Sequence, residues 1–263
     1  MSLVFGAIVP HPPILIPQIG KDNLDKIAKT KESMEQLERE LYASKPDIIM
    51  IISPHGMIDQ DVFTVNLSNY FTATFEEFGD FSTKLEIKGD TVLIAMEKEK
   101  IENKSPINII SDPKLDHGVG VPYFYLAQQL KNVSIIPIYF SLLDSQAHIE
   151  FGKNLKEVIM DTEKRVAVIA SGDMSHCLTE TAPAPFNPAG KQFDEKLIEL
   201  LKKGDIQGIV GLDQKLVEDA AECGLKSALI LLGVLHNINF TTEILSYEAP
   251  FGVGYLVANF KLE

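Results

Sequence analysis

The sequence predicts an α/β fold with a central, largely parallel sheet that is flanked by helices on both faces. Short, wholly apolar runs such as Leu3–Val9, Ile48–Ile52 and Val166–Ala170 have the length and residue types of buried strands. Amphipathic stretches alternate with these runs along the chain, which is typical of parallel strands joined by crossover helices. No low-complexity linker and no repeat of fixed period divides the chain. We therefore expect one domain over residues 1–263.

The remaining elements are predicted by periodicity in the same way. Residues 23–43 place apolar side chains at helical spacing, which indicates an amphipathic helix that covers the sheet. Residues 227–235 are almost wholly apolar, which indicates a buried helix. The polar stretch 71–88 contains scattered aromatic residues, and we expect an irregular excursion there. Further helices are predicted at 91–104, 123–130, 146–160, 192–203 and 213–221, and further strands at 62–67, 107–110, 133–140, 241–247 and 254–261.

The composition argues against several classes of partner. A formal net charge of −13 at pH 7 and an isoelectric point near 4.9 argue against nucleic acid and anionic membranes as partners. We expect no secretory signal and no membrane span, because the apolar runs are short and no basic region precedes the first of them. Cys177 and Cys223 are the two cysteines, too few for a disulfide scaffold, so a cytoplasmic location is expected. Nucleotide-binding glycine motifs and a nucleophile elbow are absent from the sequence.

Four of the six histidines follow apolar runs and lie among Pro, Gly, Ser or Asp: His11, His55, His117 and His176. Prolines beside His11 and His55 restrict the backbone at the ends of the first two predicted strands. One helical crossover separates these strands, so they can be neighbours. Open α/β sheets bind ligands at the carboxyl ends of their strands. We therefore expect the imidazoles to converge there, as metal ligands or proton carriers.

A third metal ligand is predicted just before the apolar helix, where Glu222 and Cys223 stand side by side. Two histidines and a carboxylate form the open facial site of non-haem Fe(II) oxygenases. Three protein ligands and a bound water equally suit hydrolytic zinc. A thiolate would make a softer site. Either residue could bind the metal, and the sequence leaves the choice open.

Four short motifs resemble those of the class III extradiol ring-cleavage dioxygenase superfamily, which includes the protocatechuate 4,5-dioxygenase catalytic subunits and the Memo proteins. They are Pro10–Pro13, Ser53–Gly56, Asp116–Pro122 and Gly172–His176, and together they span nearly the whole chain. The resemblance is strongest to a bacterial branch of catalytic-subunit-like proteins, whose members occur alone or joined to an AMMECR1 domain. The resemblance thus implies one extradiol dioxygenase domain of the catalytic-subunit type.

The resemblance also implies a role for each motif residue. The third ligand is a glutamate in the dioxygenases and a cysteine in the Memo-like relatives, so Glu222 and Cys223 both stay candidates. The other implied roles are Fe(II) ligands for His11 and His55, acid and base for His176, and a substrate contact that also makes His117 catalytic. We further predict that Asp116 and Ser175 bind the substrate.

We therefore expect a non-haem Fe(II) extradiol dioxygenase that opens the ring of a catechol- or aminophenol-like substrate with O2. Zinc or another divalent metal could replace the iron. The resemblance implies a homodimer or a hetero-oligomer. Two alternatives stay open, namely a Memo-like metal-binding protein with a partner or regulatory role and no ring cleavage, and a zinc-dependent hydrolase that uses the same residues.

Overall fold

The structure is a computed structural model that describes residues 2–263. Its strands, in chain order, are β1 (Leu3–Val9), β2 (Ile48–Ser53), β3 (Phe63–Asn66), β4 (Tyr70–Phe75), β5 (Asp80–Lys88), β6 (Ile107–Ile110), β7 (Lys114–Leu115), β8 (Ser134–Tyr139), β9 (Val166–Ser171), β10 (Phe240–Glu248) and β11 (Tyr255–Leu262). Its α-helices are α1 (Pro17–Gly20), α2 (Ala28–Ser44), α3 (Leu93–Met96), α4 (Lys98–Glu102), α5 (His117–Leu126), α6 (Ser145–Asp161), α7 (Pro188–Lys203), α8 (Ile206–Val210), α9 (Gln214–Ala220) and α10 (Leu225–Val234).

The main sheet has a parallel centre and antiparallel flanks. Within residues 2–263 its strand order is β10-β11-β1-β9-β2-β8-β3-β6. Strands β1, β9, β2 and β8 pair in parallel, whereas β11 joins β1 and β3 joins β8 in the antiparallel sense. The predicted largely parallel α/β sheet is confirmed. The expected neighbours β1 and β2 are not adjacent, because β9 lies between them.

Helices cover both faces of this sheet because its strands are apolar on both sides. In β2, Ile48, Met50 and Ile52 belong to one apolar core, and Ile49 and Ile51 belong to the other. Helices α6 and α10 pack on the first face, where α10 contacts β9. Helices α2 and α5 pack on the second, where they contact β1 and β2. The continuous apolar runs of the sequence therefore mark strands buried on both faces.

The predicted irregular excursion over residues 71–88 is wrong, because the segment forms a hairpin of β4 and β5. The two strands pair antiparallel, and β7 joins β4 in parallel to complete a small sheet. Phe71, Ala73 and Phe75 alternate along β4 and are buried in the second core. The turn Glu76–Phe78 at the end of the hairpin is a single 3-10 turn. This turn carries an aromatic residue to the site described below.

The helix predicted over residues 123–130 begins earlier, because helix α5 starts at His117 and ends at Leu126. The Asp116 carboxylate accepts a hydrogen bond from the Val119 backbone N–H at 3.2 Å and caps this helix. An acidic residue at this position stabilises a helix end by satisfying a free N–H group. His117 is thereby fixed on the first turn of a helix. Over the described part of the chain, we find no helix with the length and apolar character that crossing a bilayer requires.

Candidate metal centre

Three loops meet at the carboxyl ends of the central parallel strands. His11 lies in the loop after β1, His55 in the loop after β2, and His176 in the segment after β9. The turn before α10 approaches from the side and brings Cys223 to the same place. The order of the strands explains the meeting, because β9 lies between β1 and β2. The predicted convergence of the imidazoles at the carboxyl ends of the strands is therefore explained by the parallel centre of the sheet.

The donor atoms of His11, His55 and Cys223 form the candidate centre. The two Nε2 atoms lie 2.9 Å apart, and the Cys223 Sγ lies 3.7 Å from the Nε2 of His11. All three donor atoms lie within 4.8 Å of one another. Ligand bonds of about 2.0–2.1 Å for nitrogen and about 2.3 Å for sulfur place such pairs roughly 3–3.5 Å apart around one ion. The three residues therefore fit a transition-metal ion.

His11 is oriented by two residues at the end of β9. Its Nδ1 lies 2.8 Å from the Ser171 Oγ, and its backbone N–H donates to the Asp173 carboxylate at 3.0 Å. When Nδ1 donates to this hydroxyl, the lone pair of Nε2 is directed at the metal position. Burial and the neighbouring imidazoles hold the pKa of His11 well below its ordinary value. His11 is therefore neutral near pH 7, as a metal ligand must be.

Cys223 is held by backbone contacts with Asp173. The Asp173 N–H donates to the thiol sulfur at 3.2 Å, and the Cys223 N–H donates to the Asp173 carbonyl at 3.3 Å. Burial and the Asp173 carboxylate raise the pKa of the Cys223 thiol well above its usual range. The thiol therefore keeps its proton until a cation displaces it.

The structure does not bring Glu222 to the imidazoles. Its carboxylate accepts a hydrogen bond from the Leu225 N–H at 2.6 Å, at the start of α10. It lines a cavity of about 540 Å³ that it shares with Lys226, and His55 lines a different cavity. Burial raises the pKa of Glu222 to about 7, although the hydrogen bond from the Leu225 N–H acts to lower it. Of the two predicted third ligands, Cys223 is the one that faces His11.

His117 and His55 stack beside the metal position. Their ring centroids lie 4.2 Å apart with an interplanar angle of 27°. The Phe78 ring, carried by the β4–β5 hairpin, contacts His117 edge-on at 5.0 Å. Burial lowers the pKa of His117 to about 4, so its ring is neutral near pH 7. Asp116 caps α5 and accepts a hydrogen bond from the Ser53 hydroxyl at 2.5 Å, so its predicted substrate contact competes with a structural role.

His176 lies near the same position, on the segment that follows β9. Its Nδ1 lies 2.6 Å from the Ala221 carbonyl oxygen. A carbonyl can only accept, so Nδ1 carries the proton and Nε2 keeps a free lone pair. Burial lowers the pKa of His176, and its charge would lower the pKa of His11 and His55. This arrangement gives a neutral base beside the metal position.

The structure does not bring Ser175 into the site, although it precedes His176. Its hydroxyl donates to the Asp194 carboxylate at 2.9 Å, and its backbone N–H donates to the same group at 3.0 Å. Tyr247 donates to Asp194 as well. Ser175 is fully buried in this network and makes no approach to the imidazoles. Its predicted substrate contact finds no support in the geometry.

The sequence reasoning missed the two groups that orient the ligands. Ser171 and Asp173 were visible as polar residues at the end of an apolar strand, but nothing in their spacing assigned them to His11. Gly118 packs against Ser53, because a Cβ on this residue would lie 2.3 Å from the Ser53 Oγ. Glu248, at the end of β10, accepts hydrogen bonds from the Thr30 backbone N–H and hydroxyl.

Comparisons with known proteins find similar sequences over most of the chain. Residues 6–258 match the family model described as the catalytic LigB subunit of aromatic ring-opening dioxygenase. A Clostridium acetobutylicum protein is 33% identical over the whole of this chain, and the chain covers 58% of that protein's length. A 2-aminophenol 1,6-dioxygenase alpha subunit from a Pseudomonas species is 25% identical, with all of both chains covered. A MEMO1 family protein of Methanosarcina mazei is 29% identical over 42% of this chain and 39% of its own.

A solved structure shares the fold. The crystal structure of an Escherichia coli K12 protein, JW3007, superposes with a TM-score of 0.70 at 15% identity, and the match covers 97% of this chain and 99% of that one. The family model covers all four histidine motifs, because it matches residues 6–258. The chain belongs to the family of catalytic LigB subunits of aromatic ring-opening dioxygenases.

Proposed function

We propose that this protein is a Memo-like member of the LigB family that binds one transition-metal ion through His11, His55 and Cys223. The observation that carries the proposal is the direction of two adjacent side chains. The Cys223 thiol faces His11 Nε2 at 3.7 Å, whereas the Glu222 carboxylate is hydrogen-bonded to Leu225. A cysteine in place of the glutamate is the pattern that the resemblance associates with the Memo-like relatives.

The donor set determines which metals we expect. Two imidazoles and a thiolate favour zinc, copper or iron over magnesium and calcium, which prefer oxygen ligands. The set does not fit the two-histidine, one-carboxylate site of Fe(II) oxygenases, because the carboxylate of Glu222 is engaged elsewhere. Iron(II), the metal that the sequence predicts, therefore stays a prediction, and so does the zinc-dependent hydrolase.

Extradiol ring cleavage is the second candidate, and the positions of His117 and His176 favour it. A bound metal would orient a diol or aminophenol and supply the electron transfer to O2. The free Nε2 of His176 would accept a hydroxyl proton from the substrate and later return it. The rings of His117 and Phe78 would form one wall against an aromatic substrate. Similarity to the alpha chain of a 2-aminophenol 1,6-dioxygenase over the whole length supports this candidate as well.

Metal loading followed by a turnover assay separates the two candidates. The metal-free protein is loaded anaerobically with Fe(II), Zn(II) or Cu(I), and bound metal is measured by elemental analysis. We expect one ion per chain. The Fe(II) protein is then mixed with catechols and 2-aminophenols in air, and ring opening is followed as the yellow semialdehyde. Retained metal without yellow product supports the Memo-like function, and rapid formation of product supports the dioxygenase. A wild-type protein that binds none of the three ions would contradict both.

Assembly is the remaining part of the proposal. We expect a homodimer or a hetero-oligomer, because a relative of matching length is named as the alpha subunit of its enzyme. Light scattering after size-exclusion chromatography gives the mass directly. A chain of 29.1 kDa that stays monomeric at micromolar concentration would favour a separate partner protein.

A further inference from the structure

The turn of residues 221–224, here called the ligand turn, makes contacts on two sides. On the side of the metal position, the Ala221 carbonyl accepts from His176 and the Cys223 thiol approaches His11. On the opposite side, the Glu222 carboxylate accepts from the Leu225 N–H at 2.6 Å. A single short turn therefore carries both the third metal ligand and the group that orients the base.

The ligand turn has an unfavourable backbone conformation and tight contacts. Ala221 has a φ of 51°, in the left-handed region, which is unfavourable for a residue with a Cβ. The turn is also pressed against the end of β9. A Cβ on Gly172 would lie 2.1 Å from the Gly224 Cα, and a Cβ on Gly224 would lie 2.9 Å from the Asp173 carbonyl oxygen. Such a turn must be stabilised by the contacts that it makes.

Glu222 supplies one of these contacts through its side chain. The first N–H groups of a helix lack partners within the helix, and Leu225 is the first residue of α10. Gly224, the N-cap residue of α10, makes no side-chain cap. The Glu222 carboxylate therefore takes over the capping role, and it closes the ligand turn onto the helix that follows.

We propose that Glu222 is a positioning residue that locks the ligand turn, so that Cys223 reaches the metal position and Ala221 fixes the proton of His176 on Nδ1. The proposal rests on the proposed function in so far as it takes Cys223 as a ligand. Glu222 itself does not bind the metal. Its action depends on the reach of its carboxylate to Leu225, and a neutral acceptor of the same length serves equally well.

Cobalt binding tests the proposal in three variants. Glu222→Ala removes the cap, Glu222→Gln keeps an acceptor oxygen at the same reach, and Glu222→Asp keeps the charge but is one methylene shorter. Co(II) affinity is measured by competition with a chromophoric chelator, and thiolate-to-cobalt absorption reports whether Cys223 binds the ion. We expect Glu222→Ala and Glu222→Asp to lose affinity about tenfold or more and to lose thiolate absorption. Glu222→Gln should match wild type in both.

A matched control removes the same kind of cap from the neighbouring helix. The Asp213 carboxylate accepts from the Leu216 N–H at 2.8 Å at the start of α9. Asp213→Ala should lower stability as any lost cap does, which is measured as a lower midpoint of urea unfolding. Its cobalt affinity and thiolate absorption should equal those of wild type. Equal losses in Asp213→Ala and Glu222→Ala would overturn the proposal, because general destabilisation would then explain both.

Two readouts on the metal-free protein keep this test independent of the proposed function. Alkylation of Cys223 by iodoacetamide, followed by peptide mass spectrometry, reports the exposure of the thiol, with the buried Cys177 as internal reference. Nitrogen-15 NMR of His176 reports its tautomer. We expect faster alkylation and a mixed tautomer in Glu222→Ala and Glu222→Asp but not in Glu222→Gln. Wild-type values in Glu222→Asp, or equal defects in Glu222→Gln, would overturn the proposal. A wild-type protein that binds no metal would contradict the proposed function alone.

Discussion

The Nε2 atoms of His11 and His55 lie 2.9 Å apart although 44 residues separate them in the chain. Two nitrogen lone pairs at this distance repel each other unless a proton or a cation lies between them. The Cys223 Sγ joins the two nitrogens within 4.8 Å, and a thiol beside two imidazoles favours a metal cation as their common partner. The pair is therefore the strongest single indication of a metal centre.

Removal of either imidazole should abolish metal loading. With His11→Ala or His55→Ala the centre keeps two donors, too few to retain an ion against a chelator. We expect bound metal, measured by elemental analysis after desalting, to fall from about one ion per chain to near zero in each variant. His236→Ala is the matched control, because His236 lies in the loop after α10, away from the strand ends that carry the centre. Full metal content in both ligand variants would reject the assignment.

Metal affinity should rise with pH in a way that depends on Cys223. The lowered pKa values of His11 and His55 mean that these ligands lose no proton on binding, whereas the raised pKa of the thiol means that Cys223 loses one. One released proton makes the apparent affinity rise about tenfold per pH unit, from pH 7 upward until the thiol pKa is reached.

A chelator competition at pH 7, 7.5 and 8 measures this slope. Cys223→Ser should bind more weakly and with a slope near zero, because a serine hydroxyl keeps its proton in this range. Glu222→Gln is the control for the neighbouring carboxyl and should keep the wild-type slope. The same slope in wild type and Cys223→Ser would show that the thiol is not a ligand.

The positions of the two histidines next to prolines, at the ends of strands, could be predicted from the sequence because the prolines restrict the backbone locally. An apolar run followed by Pro-His or Pro-His-Pro determines where each strand ends and on which edge His11 and His55 lie. The parallel centre of the sheet then brings these edges together. The sequence could not show that β9 lies between β1 and β2, because strand order depends on packing between distant segments.

The choice between Glu222 and Cys223 could not be predicted from the sequence. Adjacent side chains in a turn take directions set by the backbone dihedrals, and here Ala221 is in the left-handed region that its residue type rarely adopts. The predicted substrate contact of Ser175 lacks support for a related reason. Ser175 precedes His176 in the chain, but its side chain points to Asp194. Neighbours in sequence thus diverge wherever the chain is irregular, which is where functional residues concentrate.

The hydroxyl of Ser171 should matter to metal affinity more than that of Ser175. Ser171→Ala removes the partner of His11 Nδ1, so the imidazole loses its fixed tautomer and orientation, and we expect a loss of about 10–100-fold in affinity. Ser175→Ala breaks a buried hydrogen bond to Asp194 and should cost about 1–3 kcal/mol in the free energy of unfolding. Urea unfolding and chelator competition on both variants measure the two effects. A larger loss of affinity in Ser175→Ala would contradict the assignment.

His176 should be dispensable for metal binding and required for any ring-opening activity. Its Nδ1 proton is held by the Ala221 carbonyl, which leaves the Nε2 lone pair free to act as a base. His176 is not among the residues whose donor atoms lie within 4.8 Å of one another, so it is not a fourth donor of the centre. His176→Ala should therefore keep about one metal ion per chain. If the Fe(II) wild type opens catechol or 2-aminophenol rings, the variant should lose about 10²–10⁴-fold in kcat, the usual contribution of a general acid and base. His176→Gln offers no titratable nitrogen and should be equally impaired, whereas loss of metal from both variants would instead place His176 among the ligands.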